Sequence, residues 1–285
     1  MSELAIGPVG AVGADGGAGG LDPRGLADRR GLADPQGFAD PQDLADPRGL
    51  AERLGRPDGL QAVLWDLDGT LVDTEPYWIA AEYRLVEAFG DSWSDAHAHA
   101  LVGNPLLVSA AYLREHGGVD LPLSEIVDRL LAEVIADVRR EVVWRPGVRR
   151  LLAELRAARV PCAMVTMSYE DLARTVADRL PPGTFATLVT GDQVSNGKPD
   201  PEAYLTAAAR LGVEPSRCLA IEDSPAGVAS AEAAGCVVIG VRNQVPLAAA
   251  PGRTVLDDLD AVSLDDLVTL ATARLPPAEA GPARA

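Results

Sequence analysis

The chain reads as an α/β protein: a Rossmann-like parallel sheet core with helices on both faces and an inserted α-helical cap domain. Three observations predict this. From Gln61 onward, short apolar runs of strand length recur at 61–66, 160–166, 186–190, 217–222 and 236–241; continuous apolar strands of this kind are buried on both faces. Helical patterns at about 147–158, 169–180, 200–211 and 224–234 alternate with them, as the crossovers of a parallel sheet require. The stretch 76–145 holds helical periods and no strand.

Taken in order, residues 1–57 differ from everything after them. A Gly/Ala stretch leads into a degenerate hexad (LADRRG, LADPQG, FADPQD, LADPRG, LAERLG). Pro35, Pro41 and Pro47 recur at its fourth position and block a continuous helix. One apolar residue in six is too sparse to bury a face, so this extension is expected to be disordered, with a short interaction tail as the alternative. Its glycines have no strand before them and no helix after, which excludes a dinucleotide-binding loop. The α/β core is assigned to 58–75 and 146–275, and the cap to 76–145. Cap helices are expected over Pro76–Phe89 and about 94–101, 105–116 and 122–140. Asp200-Pro201 and Ser224-Pro225 are helix starts, a polar cap followed by proline, and Gly212 and Gly235 are stops. Residues 276–285 are expected to form a flexible tail.

Composition narrows the function classes. The chain has 285 residues, 47% of them hydrophobic, and a net charge of −17, so a surface that tracks nucleic-acid phosphates is not expected. A membrane partner is not expected either, because no window of about 18 apolar residues occurs. The N-terminus lacks a basic stretch followed by an apolar one, so a secretory leader is not expected and a cytoplasmic location is. Cys162, Cys218 and Cys236 each fall in or beside a strand, with no metal spacing and no disulfide framework.

The most informative run is Val63–Val72. It is an apolar strand that ends by presenting Asp66 and Asp68 at the sheet's C-terminal edge, followed by Gly69 and Thr70. Two carboxylates spaced in this way suit a nucleophile with a proton-transfer partner, or else a magnesium site. A second signal is Lys198, the single lysine beside 24 arginines. A site that needs one compact ammonium does not accept the planar arginine fork. A second strand delivers the hydroxyls of Thr166 and Ser168 to the same edge. A fourth delivers Glu222 and Asp223, adjacent carboxylates that call for a nearby cation. The cap, inserted after the first strand, is placed over this edge, where open α/β sheets bind ligands.

DLDGTLVDTEP from Asp66, VTMS from Val165, GKPDPEAY from Gly197 and IEDSPAGVASAEAAG from Ile221 together resemble the haloacid dehalogenase superfamily over about residues 61–243. The helical cap is similar to that of its β-phosphoglucomutase-like subgroup. The resemblance implies a Mg2+-dependent phosphatase acting on a small phosphorylated metabolite, by default a sugar phosphate. In that reading Asp66 is the nucleophile that forms an aspartyl-phosphate. Asp68 is the general acid and base, and Lys198 neutralises charge. Thr166 and Ser168 bind substrate, and Asp66, the Asp68 carbonyl, Asp223 and Glu222 surround the metal. Mutases of this type carry a histidine twelve residues after the nucleophile, where this chain has Trp78; hydrolysis is therefore preferred to a mutase reaction. His97 and His99 are expected at the surface, His116 at a helix end, and Leu101–Pro105 forms a cap loop able to reach substrate.

Overall fold

The structure, a computed structural model, describes residues 59–102, 104–250 and 253–275. The expectations for residues 1–57, for 276–285 and for Gly103 in the cap loop lie outside the described residues. The described chain folds as β1 (Ala62–Trp65), α1 (Glu75–Ala88), α2 (Asp95–Leu101), α3 (Leu106–His116), α4 (Leu123–Arg140), α5 (Val148–Ala157), β2 (Cys162–Val165), α6 (Glu170–Ala177), β3 (Thr187–Val189), α7 (Glu202–Leu211), β4 (Cys218–Glu222), α8 (Pro225–Ala233), β5 (Val237–Val241), β6 (Thr254–Leu256) and α9 (Leu264–Thr272).

The six strands form one sheet in the order β3-β2-β1-β4-β5-β6, and every pairing is parallel. The chain builds outward from β1 in one direction, returns, and builds outward in the other. This leaves a topological switch point beside β1, where the crevice at the strands' carboxyl ends binds ligands. The five strands expected from sequence are all present, each shortened by one to three residues. Strand β6 and helix α9 complete the core and were not anticipated. β6 is a three-residue edge strand, too short to make an apolar run. α9 does carry a local signal: Ser263 accepts the Asp266 N–H, and the Asp266 carboxylate accepts the Ser263 N–H, a reciprocal cap.

The sheet is apolar on both faces because strand side chains alternate. Val63 and Trp65 of β1 join Leu151, Leu155, Leu172, Leu264 and Leu267 on one side. Ala62 and Leu64 join Tyr204, Ala207, Val228 and Ala231 on the other. The small residues of α7 and α8 let those helices lie close to the strands. Between β1 and β2 stand the four cap helices. The longest, α4, buries Ile126, Val127, Leu130, Leu131, Val134 and Val138, the three-and-four spacing of one helical face, against Leu85 and Val86 of α1. Burying each such side chain contributes about 1.5–3 kcal/mol, so the cap has its own apolar anchor. His97 is half-buried rather than on the surface, stacked on Trp93 at 4.7 Å between ring centres and 3.0 Å from the Tyr112 hydroxyl, while His99 is exposed. The three cysteines are buried and unpaired. Among the described residues, no helix is long and apolar enough to cross a membrane.

Candidate active site

β1 ends one residue before Asp66, whose backbone N–H is still held in register by the Ile221 carbonyl of β4 at 3.1 Å. Beyond it the chain turns back through Leu67–Val72. Gly69 makes that turn possible: it has φ +85°, and a Cβ there would overlap the Asp223 carboxylate and the Asn243 amide. The turn places the Asp66 side chain, 6% exposed, at the floor of a cavity of about 330 Å³ between the sheet edge and the cap. The half-buried Asp68 side chain lies higher in the same cavity.

Lys198 arrives from the loop before α7. Its buried Nζ donates to Asp66 Oδ1 at 2.7 Å, to the Val165 carbonyl at 2.9 Å and to Glu222 Oε1 at 2.5 Å. These three acceptors match the three donors of an ammonium. Glu222, fully buried at the end of β4, also accepts the Tyr204 hydroxyl at 2.6 Å. Its carboxylate lies under the first turn of α8, where a Cβ on Gly227 would overlap it. Ser224 caps that helix, accepting the Gly227 N–H at 3.0 Å.

Asp68 is held by four donors. Thr74 Oγ1 (2.5 Å) and Trp78 Nε1 (3.2 Å) reach Oδ1. Ser168 Oγ (2.7 Å) and Thr166 Oγ1 (3.3 Å) reach Oδ2. The second pair comes from the end of β2. Trp78 comes from the cap, so this carboxylate joins the two parts of the molecule. Asp223 accepts the Asn243 amide at 2.8 Å and the Thr70 hydroxyl at 3.3 Å.

The structure thus brings Asp66, Asp68, Thr166, Ser168, Lys198, Glu222 and Asp223 to one cavity or directly beneath it. Sequence reasoning missed Thr74, Tyr204 and Asn243 as partners of these groups. The first two stand inside motifs already singled out, and Asn243 follows the end of β5, where a polar residue at the ligand-binding edge is a usable signal.

The electrostatics are uneven. Oxygens of Asp66, Glu222 and Asp223 lie within 4.8 Å of one another, with the Lys198 ammonium as their cation. Burial, reinforced by Glu222, pushes the Asp66 carboxyl well above the usual range despite the pull of Lys198. Burial and then Glu222 push Asp223 up to about 7. Burial disfavours the Lys198 charge, but Asp66 and Glu222 outweigh it and raise the ammonium above lysine's ordinary value. Ionised, the three carboxylates and one ammonium leave two negative charges uncompensated, which a hard divalent cation with oxygen ligands would balance. The donor set therefore fits a magnesium ion.

Residues 60–235 match the family model of the haloacid dehalogenase-like hydrolases. The chain belongs to that family and is a hydrolase of it. A phosphorylated carbohydrates phosphatase of Thermotoga maritima is 34% identical over 180 residues, 62% of this chain and 82% of that one. A phosphoglycolate phosphatase of Pseudomonas putida is 33% identical over 210 residues, covering 70% of this chain and 77% of its own. Among solved structures, a mutant of CbbY from Rhodobacter sphaeroides in complex with xylulose-(1,5)bisphosphate superposes with a TM-score of 0.66 at 26% identity. That match covers 73% of this chain and 99% of that one.

Proposed function

We propose that this protein is a magnesium-dependent phosphatase, a phosphoric monoester hydrolase that cleaves a small phosphorylated metabolite, by default a sugar phosphate, through an aspartyl-phosphate. The observation that carries this reading is the pairing of two carboxylates in one cavity with different surroundings. Asp66 is buried against the Lys198 ammonium, while Asp68 is half-buried and held by hydroxyls and an indole N–H.

An Asp66 oxygen attacks phosphorus in line, and the bond from phosphorus to the leaving oxygen breaks as Asp68 delivers its proton to that oxygen. Asp68, now ionised, takes a proton from water; the water oxygen attacks phosphorus, and the Asp66–phosphorus bond breaks to release inorganic phosphate. Lys198 balances charge on Asp66 and on a phosphoryl oxygen, and Glu222 and Tyr204 hold that ammonium in place. Thr166 and Ser168 steady Asp68 and offer hydroxyls to the phosphoryl group. Asp66, Asp223 and the Asp68 carbonyl would hold magnesium, with Glu222 behind them. The ion supplies positive charge that offsets repulsion between carboxylate and phosphate. The phosphatases among the relatives support the reaction class. Trp78, bonded to Asp68 where the mutases carry histidine, supports hydrolysis over phosphoryl transfer within one sugar.

The test is phosphate release from a metabolite panel and p-nitrophenyl phosphate, with and without magnesium, on wild type and Asp66→Asn. Magnesium-dependent release that disappears in the variant supports the reading. Release that survives Asp66→Asn refutes the nucleophile assignment.

A further inference from the structure

The cap's contribution to the cavity is acidic. Glu75, Trp78 and Glu82 lie on one face of α1, at positions i, i+3 and i+7, and all three line the cavity. Glu82 is only 5% exposed and accepts a hydrogen bond from the Trp93 indole N–H at 3.3 Å, a neutral donor. The cap also contributes Leu101, Leu106, Ser109 and Leu130 to the cavity lining. Among the described residues, Lys198 is the only cation that lines the cavity, and it is engaged with Asp66 and Glu222.

We propose that this site accepts phosphate monoesters whose leaving group is uncharged and hydroxyl-rich, of the sugar or alditol class, and that Glu75 and Glu82 reject substrates carrying a second anionic group. The inference rests on the phosphatase reading and goes beyond it by assigning the charge of the part that departs. Once the phosphoryl group is seated against Asp66, the rest of a small substrate extends toward the cap. There a hydroxyl meets carboxyl groups that accept its hydrogen bond, and apolar walls that take the carbon skeleton. A carboxylate or second phosphate meets two acidic side chains and no compensating charge, the kind of repulsive element that creates specificity.

The titration of the two glutamates sets the pH at which this repulsion acts. Burial, then the Asp68 and Asp223 charges, pushes Glu75 up to about 7, and burial pushes Glu82 up to about 8. Both carboxyls therefore carry their charge, and repel a second anion, on the alkaline side of these values. The names of relatives and neighbours span both kinds, a phosphorylated carbohydrates phosphatase and a hexitol phosphatase beside a phosphoglycolate phosphatase and a bisphosphate complex. Membership of the family does not fix this property, and the α1 face does.

The experiment compares kcat/KM at pH 8.5, where both glutamates are largely ionised, for the full chain with magnesium on sorbitol 6-phosphate, 6-phosphogluconate and fructose 1,6-bisphosphate, with p-nitrophenyl phosphate as the control for the chemistry. Sorbitol 6-phosphate and 6-phosphogluconate have the same carbon chain length and differ chiefly by one carboxylate. Two like charges in a partly desolvated site interact strongly enough that the anionic pair is expected to fall about 100-fold below sorbitol 6-phosphate. Glu75→Gln and Glu82→Gln are each expected to narrow that gap several-fold. 6-Phosphogluconate or the bisphosphate turned over within tenfold of sorbitol 6-phosphate overturns the inference and leaves the phosphatase reading standing. So does an unchanged gap in both Gln variants. No release from any compound, p-nitrophenyl phosphate included, overturns the phosphatase reading and this inference with it.

Discussion

Lys198 is the residue on which most of the site's electrostatics depends, and two substitutions separate its structural from its chemical part. Lys198→Met removes the ammonium but keeps much of the stem. Asp66 and Glu222 then remain buried without their cation, since Nζ reaches them at 2.7 and 2.5 Å and the lysine side chain is only 5% exposed. Removing one partner of a buried ion pair costs about 3–5 kcal/mol. For a folded unit of this size, about 2–4 °C of midpoint per kcal/mol converts that to a fall of ~6–20 °C.

The deficit depends on pH. A buried carboxyl with a raised pKa keeps its proton in the folded state while the unfolded state gives it up, so stability falls as pH rises. Without Lys198, whose charge lowers the Asp66 value, this affects Asp66 more strongly. The variant should therefore lie nearest wild type at pH 5 and furthest from it at pH 8 in a thermal melt followed by circular dichroism. Lys198→Arg keeps the charge but cannot converge three acceptors on one nitrogen. Its kcat/KM should fall by at least ~100-fold, comparable to the loss of a preorganised charge-stabilising donor. A Met variant that melts within about 2 °C of wild type at pH 8, a difference smaller than ~1 kcal/mol, refutes the energetic argument. An Arg variant that keeps more than half the activity refutes the geometric one.

Other substitutions test neighbouring statements. Tyr204→Phe deletes the hydroxyl that donates to Glu222 at 2.6 Å and should cost about 1–3 kcal/mol in urea unfolding; no change in midpoint would mean that Lys198 alone satisfies that carboxylate. Gly227→Ala drives a methyl into the buried Glu222 carboxylate and should destabilise by about 1–3 kcal/mol through overpacking, which unfolding with unaltered midpoint would contradict. Glu82→Gln removes a carboxyl held at about 8 by burial. Between its ordinary value of 4.5 and 8, the unfolded state has released the proton and the folded state has not, so wild type loses stability as pH rises. The Gln variant should match wild type near pH 4 and exceed it by about 2–4 kcal/mol at pH 8.5; parallel stability curves would show that Glu82 is not buried as described.

The parts of the site legible in the sequence are those where type and place coincide. Asp66, Thr166 and Glu222 each sit at or just past the end of an apolar run, and a parallel sheet brings all such ends to one edge. Pattern alone therefore sufficed to gather them before any distance was known. Lys198 was legible for a different reason: in a chain that otherwise uses arginine for its cations, one lysine marks a position where the fork does not fit. Tyr204 was not legible in the same way. On α7 it reads as one more apolar-face residue, and only the packing of that helix over β4 turns its hydroxyl toward Glu222. β6 was missed because three residues at an edge carry no periodicity.

Glu75 and Glu82 mark the point where sequence reading stopped for a physical reason. On a linear chain, an acidic residue in an amphipathic helix reads as part of a solvated face. α1 buries Ala81, Leu85 and Val86, and its remaining surface would ordinarily be wet. Here the insertion point decides otherwise: a helix that begins at Glu75, nine residues past Asp66, must cross the mouth of the sheet edge before it can reach its packing partner α4. Its polar side is thereby turned over Asp66 instead of out to water, and two residues that the sequence reading gave no role become walls of the cavity. The groups gathered at the sheet edge follow from where the strands end. The character of what the site admits follows from how one helix is routed over them, which belongs to tertiary structure and to no local pattern.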